Sequence, residues 1–140
     1  MLSRKYTIVK HIALIGYAAL LAYGTLLGRT HYSDPLSIVF SGWVITKRAG
    51  GWDWNPIYNI FMLTPLMFLL CWNFPKLCGK SKKQLLIRSA YIGFLVSLFI
   101  ECNQLIFCVG TFQISDLVYN TISSVLGGWG YVRLRQFFMR

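Results

Sequence analysis

Six polar side chains sit inside runs that are otherwise apolar. Glu101, Asn103 and Gln104 lie in IECNQLIFCVG, Asp116 and Asn120 lie in SDLVYNTISSVLGG, and Asn59 lies near the start of IYNIFMLTP. An ionised carboxylate in hydrocarbon is costly, so such residues face a partner or a water-filled pocket and are functional candidates. Two carboxylates of unequal burial can divide acid and base roles between them, which is the chemistry open to Glu101 and Asp116. No nucleophile–base set, phosphate loop or metal cluster accompanies them. The catalytic assignment is therefore unknown, and neither a metal nor a cofactor is expected.

The elements that must position these groups are membrane helices. Hydrophobic residues make up 56% of the 140 and charged residues 13%, about half the charge of a soluble globular domain. Mean hydropathy is +0.53. Four spans are expected, at about 8–28, 57–74, 89–109 and 116–132, each near the ~20 residues needed to cross a ~30 Å hydrocarbon core. They make one domain over 1–140, an all-α bundle of four transmembrane helices. The piece 36–45 between the first and second spans is too short to cross and reads as an interfacial or re-entrant segment. Trp43, Trp52 and Trp54 suit a membrane–water interface.

Other local features qualify this frame. The basic start before the first run also describes a signal peptide, but the run is long for one and GRTHYS offers no small-x-small cleavage site. GTLLG, with Gly24 and Gly28, has a spacing that permits close helix contact, and it fits equally well as small residues tolerated in a membrane helix. Pro65 should kink the second span, which membrane helices tolerate when neighbours satisfy the freed backbone groups. The fourth run is the least apolar, and its Ser123, Ser124, Gly127 and Gly128 read as a packed face. Cys71, Cys78, Cys102 and Cys108 lack metal-like spacing, and Cys71 and Cys102 fall in apolar runs as small hydrophobes. Neither a disulfide nor a metal site is expected from them.

Charge orients the bundle. The net charge is +10, but no soluble domain remains to carry a nucleic-acid site. Of the 14 Lys and Arg, eleven fall on one side of four spans: Arg4, Lys5 and Lys10; Lys76, Lys80, Lys82, Lys83 and Arg88; Arg133, Arg135 and Arg140. Positive residues concentrate in the cytoplasm, which puts both termini there and makes contact with anionic lipid a second use of the charge. Glu101 then lies about 12 Å short of the outer end of the third span. Gln104 shares its face by i, i+3 spacing, and Asp116 and Asn120 are i, i+4 neighbours. With Asn59 entering the second span from outside, the polar groups share one depth, the outer half of the bilayer.

Each has a plainer reading beside the functional one. Glu101 and Gln104 could hold helices together by hydrogen bonds, as could Asn59 and Asn120. Asp116 could N-cap the fourth helix, or Ser115 could do so in its place.

N-I-x-x-x-x-P in NIFMLTP, then IECNQ, then SDLVYNT followed by a glycine pair, resembles the VanZ-like family of small bacterial membrane proteins over roughly residues 55–130. The resemblance implies that Asn59, Pro65, Glu101, Gln104, Asp116 and Asn120 occupy the family's characteristic positions. Many members have an Arg in the turn and Asp at or near both Gln113 and Ser115, with Gly where Ser123 stands. Here the turn has Gly110 and Thr111 and no Arg. The resemblance also implies lowered susceptibility to teicoplanin and related lipoglycopeptides, without change to the peptidoglycan precursor. Membrane lipids, a lipoglycopeptide and a lipid-linked cell-wall precursor are the partners in view, and the oligomeric state stays open. The leading reading is a resistance factor in the bacterial cell membrane with a polar pocket at the outer leaflet. The alternatives are a membrane enzyme on a lipid-linked envelope substrate, with Glu101 and Asp116 as acid and base, and a small transporter subunit.

Overall fold

The computed structural model describes residues 2–31, 33–44, 51–52, 54–77, 79 and 81–138, the side chains of 2–5 and 138 excepted. Every regular element longer than a turn among them is helical: α1 (Leu2–Ala22), continued by a π-helical stretch (Tyr23–Leu27), then α2 (Trp54–Met62), α3 (Thr64–Asn73), α4 (Lys82–Phe107) and α5 (Ile114–Phe138). Three stretches, Tyr6–Leu27, Trp54–Asn73 and Lys82–Phe107, are long and apolar enough to cross a membrane.

The burial pattern identifies the solvent. Ile12, Ile15, Leu20, Phe61, Phe99 and Ile106 are each at least 60% exposed, while Ser89, Ser97, Glu101, Gln104, Ser115, Asn120, Ser123 and Ser124 are at most 2% exposed. A water-soluble domain arranges these the other way round. In lipid, apolar side chains gain nothing by leaving the surface, and small or hydrogen-bonding residues hold helices together.

α5 is the centre of the bundle, packed on α2, α3 and α4, while α1 lies mainly against α3. Small residues set these approaches. A Cβ at Gly127 would strike the Thr64 carbonyl oxygen, one at Gly128 the Ser89 hydroxyl, and one at Gly93 the Ser124 side chain. Of the two readings of GTLLG, tolerated small residues fit: among the described residues Gly24 has open space around it, and Gly28 meets only atoms of Tyr23. The spacing permits approach, but the opposing surface is what requires it.

α2 and α3 are one apolar run broken at Leu63, with Pro65 in the first turn of α3. Proline's ring and missing N–H disturb the helical ladder there. Neighbours mend it: the Tyr17 hydroxyl donates to the Met62 carbonyl at 2.7 Å, and the Leu63 N–H donates to Ser123 Oγ at 2.8 Å. Thr64 Oγ1 donates to the Ser123 carbonyl at 2.9 Å. Ser123→Ala would leave the Leu63 N–H buried without an acceptor. The expected cost is about 1–3 kcal/mol, read as a lower melting temperature in detergent with the helix content unchanged.

Helix ends depart from the apolar runs. α4 begins at Lys82, where Ser81 caps it by accepting the Gln84 N–H at 3.2 Å; basic residues favour helix as readily as apolar ones, so hydropathy placed the start too late. α4 stops at Cys108, whose φ of 50° is left-handed, with the Val109 N–H returning to the Gln104 carbonyl.

The expectation that no cysteine is paired needs correction. Cys71, fully buried in α3, is disulfide-bonded, its partner lying outside the described residues, whereas Cys102 and Cys108 are free. Apolar surroundings fit a small hydrophobe equally well and cannot reveal a sulfur partner. The segment 35–44, turns over 35–40 and irregular chain over 41–44, is held on the start of α5. Phe112 N–H donates to the Pro35 carbonyl and Ile114 N–H to the Val39 carbonyl, at 2.9 and 3.1 Å. Ser115 Oγ and the Tyr119 hydroxyl donate to the Ser41 and Trp43 carbonyls. Gly42, at φ 84°, lets this backbone lie against Gln113 and Ser115, whose atoms a Cβ would meet.

Candidate functional site

The helix contacts give the bundle two unlike ends. At one, Lys10 donates to the Trp72 carbonyl and Asn73 to the Lys10 carbonyl, near the start of α4 and the basic end of α5. At the other, the π-helical stretch, the start of α2 and the turn 108–113 enclose a cavity of about 460 Å³. Its wall carries Arg29, Asn59, Gln113 and Asp116, with Tyr17 and Met62 among its other members. Volume in this range suits a small-molecule or headgroup site.

Five of the six polar positions divide between wall and support, and Asn103 has neither part. Asn59 and Asp116 stand on the wall itself. Glu101 is 2% exposed and sits behind it, its Oε2 accepting the Gln113 N–H at 2.9 Å. An α4 carboxylate thus holds the residue just before α5. Arg29 and Asp116 are charged groups near enough to act on Glu101. Gln104, one turn on, donates through Nε2 to the Thr25 carbonyl at 2.9 Å, fixing the π-helical stretch that contributes Gly24 and Thr25 to the wall.

Asn120 is not on the wall. Its Nδ2 donates to Ser97 Oγ at 2.9 Å between α4 and α5, and its Oδ1 is buried with no partner among the described residues. The Asn103 amide turns back to the Phe99 carbonyl of its own helix. Asp116 lies inside the first turn of α5 and Ser115 donates to Ser41, so neither residue occupies the position before the helix. Pro65 lies away from the cavity, at the break between α2 and α3.

Seven polar wall residues had no place among the candidates: Tyr17, Thr25, Arg29, Asn55, Tyr58, Thr111 and Gln113. Arg29 carried a visible signal, as a cation where the first apolar run ends. The turn has no Arg of its own, yet Arg29 reaches it: Nη1 would lie 3.1 Å from a Cβ on Gly110, the same distance as Gln104 Oε1. Gln113 contributes its backbone, which residue type does not advertise. Among the described residues no group of three or more His, Cys, Asp or Glu could hold a metal ion. The arrangement can instead bind: a cation, a carboxylate and amides face a chamber beside apolar Leu20, Leu21 and Met62.

These features define a helical membrane protein with a polar chamber set among apolar helix surfaces. The chain belongs to the VanZ/LLP1 family, whose model matches residues 12–135. No curated protein and no solved structure matches it.

Proposed function

We propose that this protein is a four-span component of the bacterial cell membrane that lowers susceptibility to teicoplanin-type lipoglycopeptides, acting from the outer leaflet without changing the peptidoglycan precursor. The observation that carries the reading is the cavity of about 460 Å³ at the end opposite the basic segments, with Arg29, Asp116 and Asn59 beside Leu20, Leu21 and Met62. A lipoglycopeptide, or the lipid-linked wall precursor, has the same two-part character: a hydrogen-bonding head and an apolar chain. Glu101 and Gln104 support the wall, and Asn120 supports the helix pair behind it.

α5 serves as the fourth span. Its 25 residues reach about 37 Å at 1.5 Å per residue. Its polar residues Ser115, Asn120, Ser123 and Ser124 are buried against other helices rather than facing lipid. Both termini lie in the cytoplasm, where the positive-inside bias places Lys10, Lys76, Lys82, Arg133 and their neighbours. The cavity then opens toward the outer half of the bilayer.

The test is drug susceptibility in a sensitive Gram-positive host, comparing wild type with Glu101→Gln and Asp116→Asn at matched membrane levels. Wild type should raise the inhibitory concentration of teicoplanin selectively over vancomycin, and each variant should return it to the empty-vector value. Equal protection by all three proteins would remove the carboxylates from the mechanism.

A further inference from the structure

A second cavity, of about 730 Å³, lies at the opposite end of the bundle, between the start of α4 and the last turns of α5. Lys82, Arg133 and Arg135 line it together with the Ser81 hydroxyl, and no carboxylate stands among its described lining residues. The chain has four acids, Asp34, Asp53, Glu101 and Asp116, and Glu101 and Asp116 belong to the other end. Three cations around one chamber repel one another unless an anion sits between them.

The chamber is preformed and two-faced. Tyr131 on its floor is 8% exposed and packs edge-on against Phe68 at 6.1 Å. The Arg133 guanidinium lies over the Trp129 ring, 5.2 Å from its centroid. The first turn of α4 adds the positive end of a long helix dipole, which also favours an anion. Leu85, Val132 and Phe137 give the remaining wall its apolar part, beside Gly79 and Gln136. It continues outward onto exposed Leu134 and the exposed ring of Phe137.

We infer that this chamber binds the phosphate of an acidic phospholipid, with Lys82, Arg133 and Arg135 around the phosphodiester and the acyl chains along Leu85, Val132 and Phe137. Free phosphate shares the anionic chemistry but has nothing to lay on the apolar wall. The anionic leaflet surface supplies such a lipid on the side where basic residues gather. This site is separate from the outer cavity and does not depend on a role in resistance.

The experiment uses the full chain in detergent with mixed phosphatidylglycerol and phosphatidylcholine, and native mass spectrometry counts the lipid retained. Wild type should retain phosphatidylglycerol selectively. Arg133→Gln with Arg135→Gln should weaken that retention about thirtyfold, the order expected for two cations near a lipid phosphate. Lys76→Gln with Lys83→Gln removes the same charge elsewhere and should retain lipid as wild type does. The single change Lys82→Gln, with an unchanged melting curve, covers the case in which the double arginine variant does not fold. Equal retention by the arginine and lysine variants, equal retention of phosphatidylcholine, or displacement by millimolar inorganic phosphate would each overturn the assignment.

Discussion

Gly127→Val should prevent the bundle from closing, while Gly16→Val should leave it unchanged. At Gly127 a Cβ would strike the Thr64 carbonyl oxygen and lie 3.0 Å from Met67 Cβ and 3.1 Å from the Phe68 N. Two of these three are backbone atoms, which cannot move aside as a side-chain tip can. Overpacking in a filled interior typically costs about 1–3 kcal/mol, and a collision with backbone belongs at or beyond the upper end. Retreat of α5 from α3 would also break the Ser123 contacts that satisfy Leu63 and Thr64. At Gly16 nothing lies within 4 Å of the added atom, so the valine enters lipid-facing space. The check is the monodisperse yield and melting temperature of both variants from the same membranes. Equal behaviour would mean that α3 and α5 are not in contact at this point.

Glu101→Leu and Glu101→Gln should differ from each other more than the glutamine variant differs from wild type in stability. Leucine leaves the Gln113 N–H with no acceptor in a buried setting, at a cost of about 1–3 kcal/mol or more because the lost acceptor is a carboxylate. Glutamine keeps an acceptor oxygen of the same reach. The loss should appear first in the turn beside Gln113, since Phe112 and Ile114 are the residues bonded to Pro35 and Val39. Amide exchange read by mass spectrometry should quicken in 110–115 and 35–44 in the leucine variant and stay slow in the glutamine variant. Set beside drug susceptibility, the pair separates charge from support. A glutamine variant that is fully stable and unprotective assigns the role to the carboxylate's charge, and one that protects assigns it to the hydrogen bond.

What could be read along the chain followed from period and composition. Apolar length marks the stretches Tyr6–Leu27, Trp54–Asn73 and Lys82–Phe107, and Pro65 marks the break between α2 and α3. Position along the helices brings Asn59, Glu101, Gln104 and Asp116 to one end, because order and rise per residue fix depth. Division of labour among them was not legible. That Glu101 reaches the Gln113 N–H and Gln104 the Thr25 carbonyl depends on how three helices rotate about their axes. Residues 79 positions apart, as Gln104 and Thr25 are, leave no local pattern of that rotation. The same holds for the 35–44 segment, where four hydrogen bonds to 112–119 rest mostly on backbone carbonyls. The choice between the two readings of GTLLG was hidden for the complementary reason, since no neighbour from another helix among the described residues approaches its glycines.

The central place of α5 also governs how the protein is made. α1 to α4 leave the ribosome before α5, yet Ser123 supplies the acceptor for Leu63, Ser124 donates to the Ser89 carbonyl, and Asn120 donates to Ser97. Until the last helix arrives, the Leu63 N–H lacks the Ser123 acceptor and the 35–44 segment has no α5 start to dock on. Biogenesis is therefore gated by its final step. A chain stopped before residue 114 would keep its apolar stretches but leave Ser89, Ser97 and the Leu63 N–H without the α5 groups that meet them.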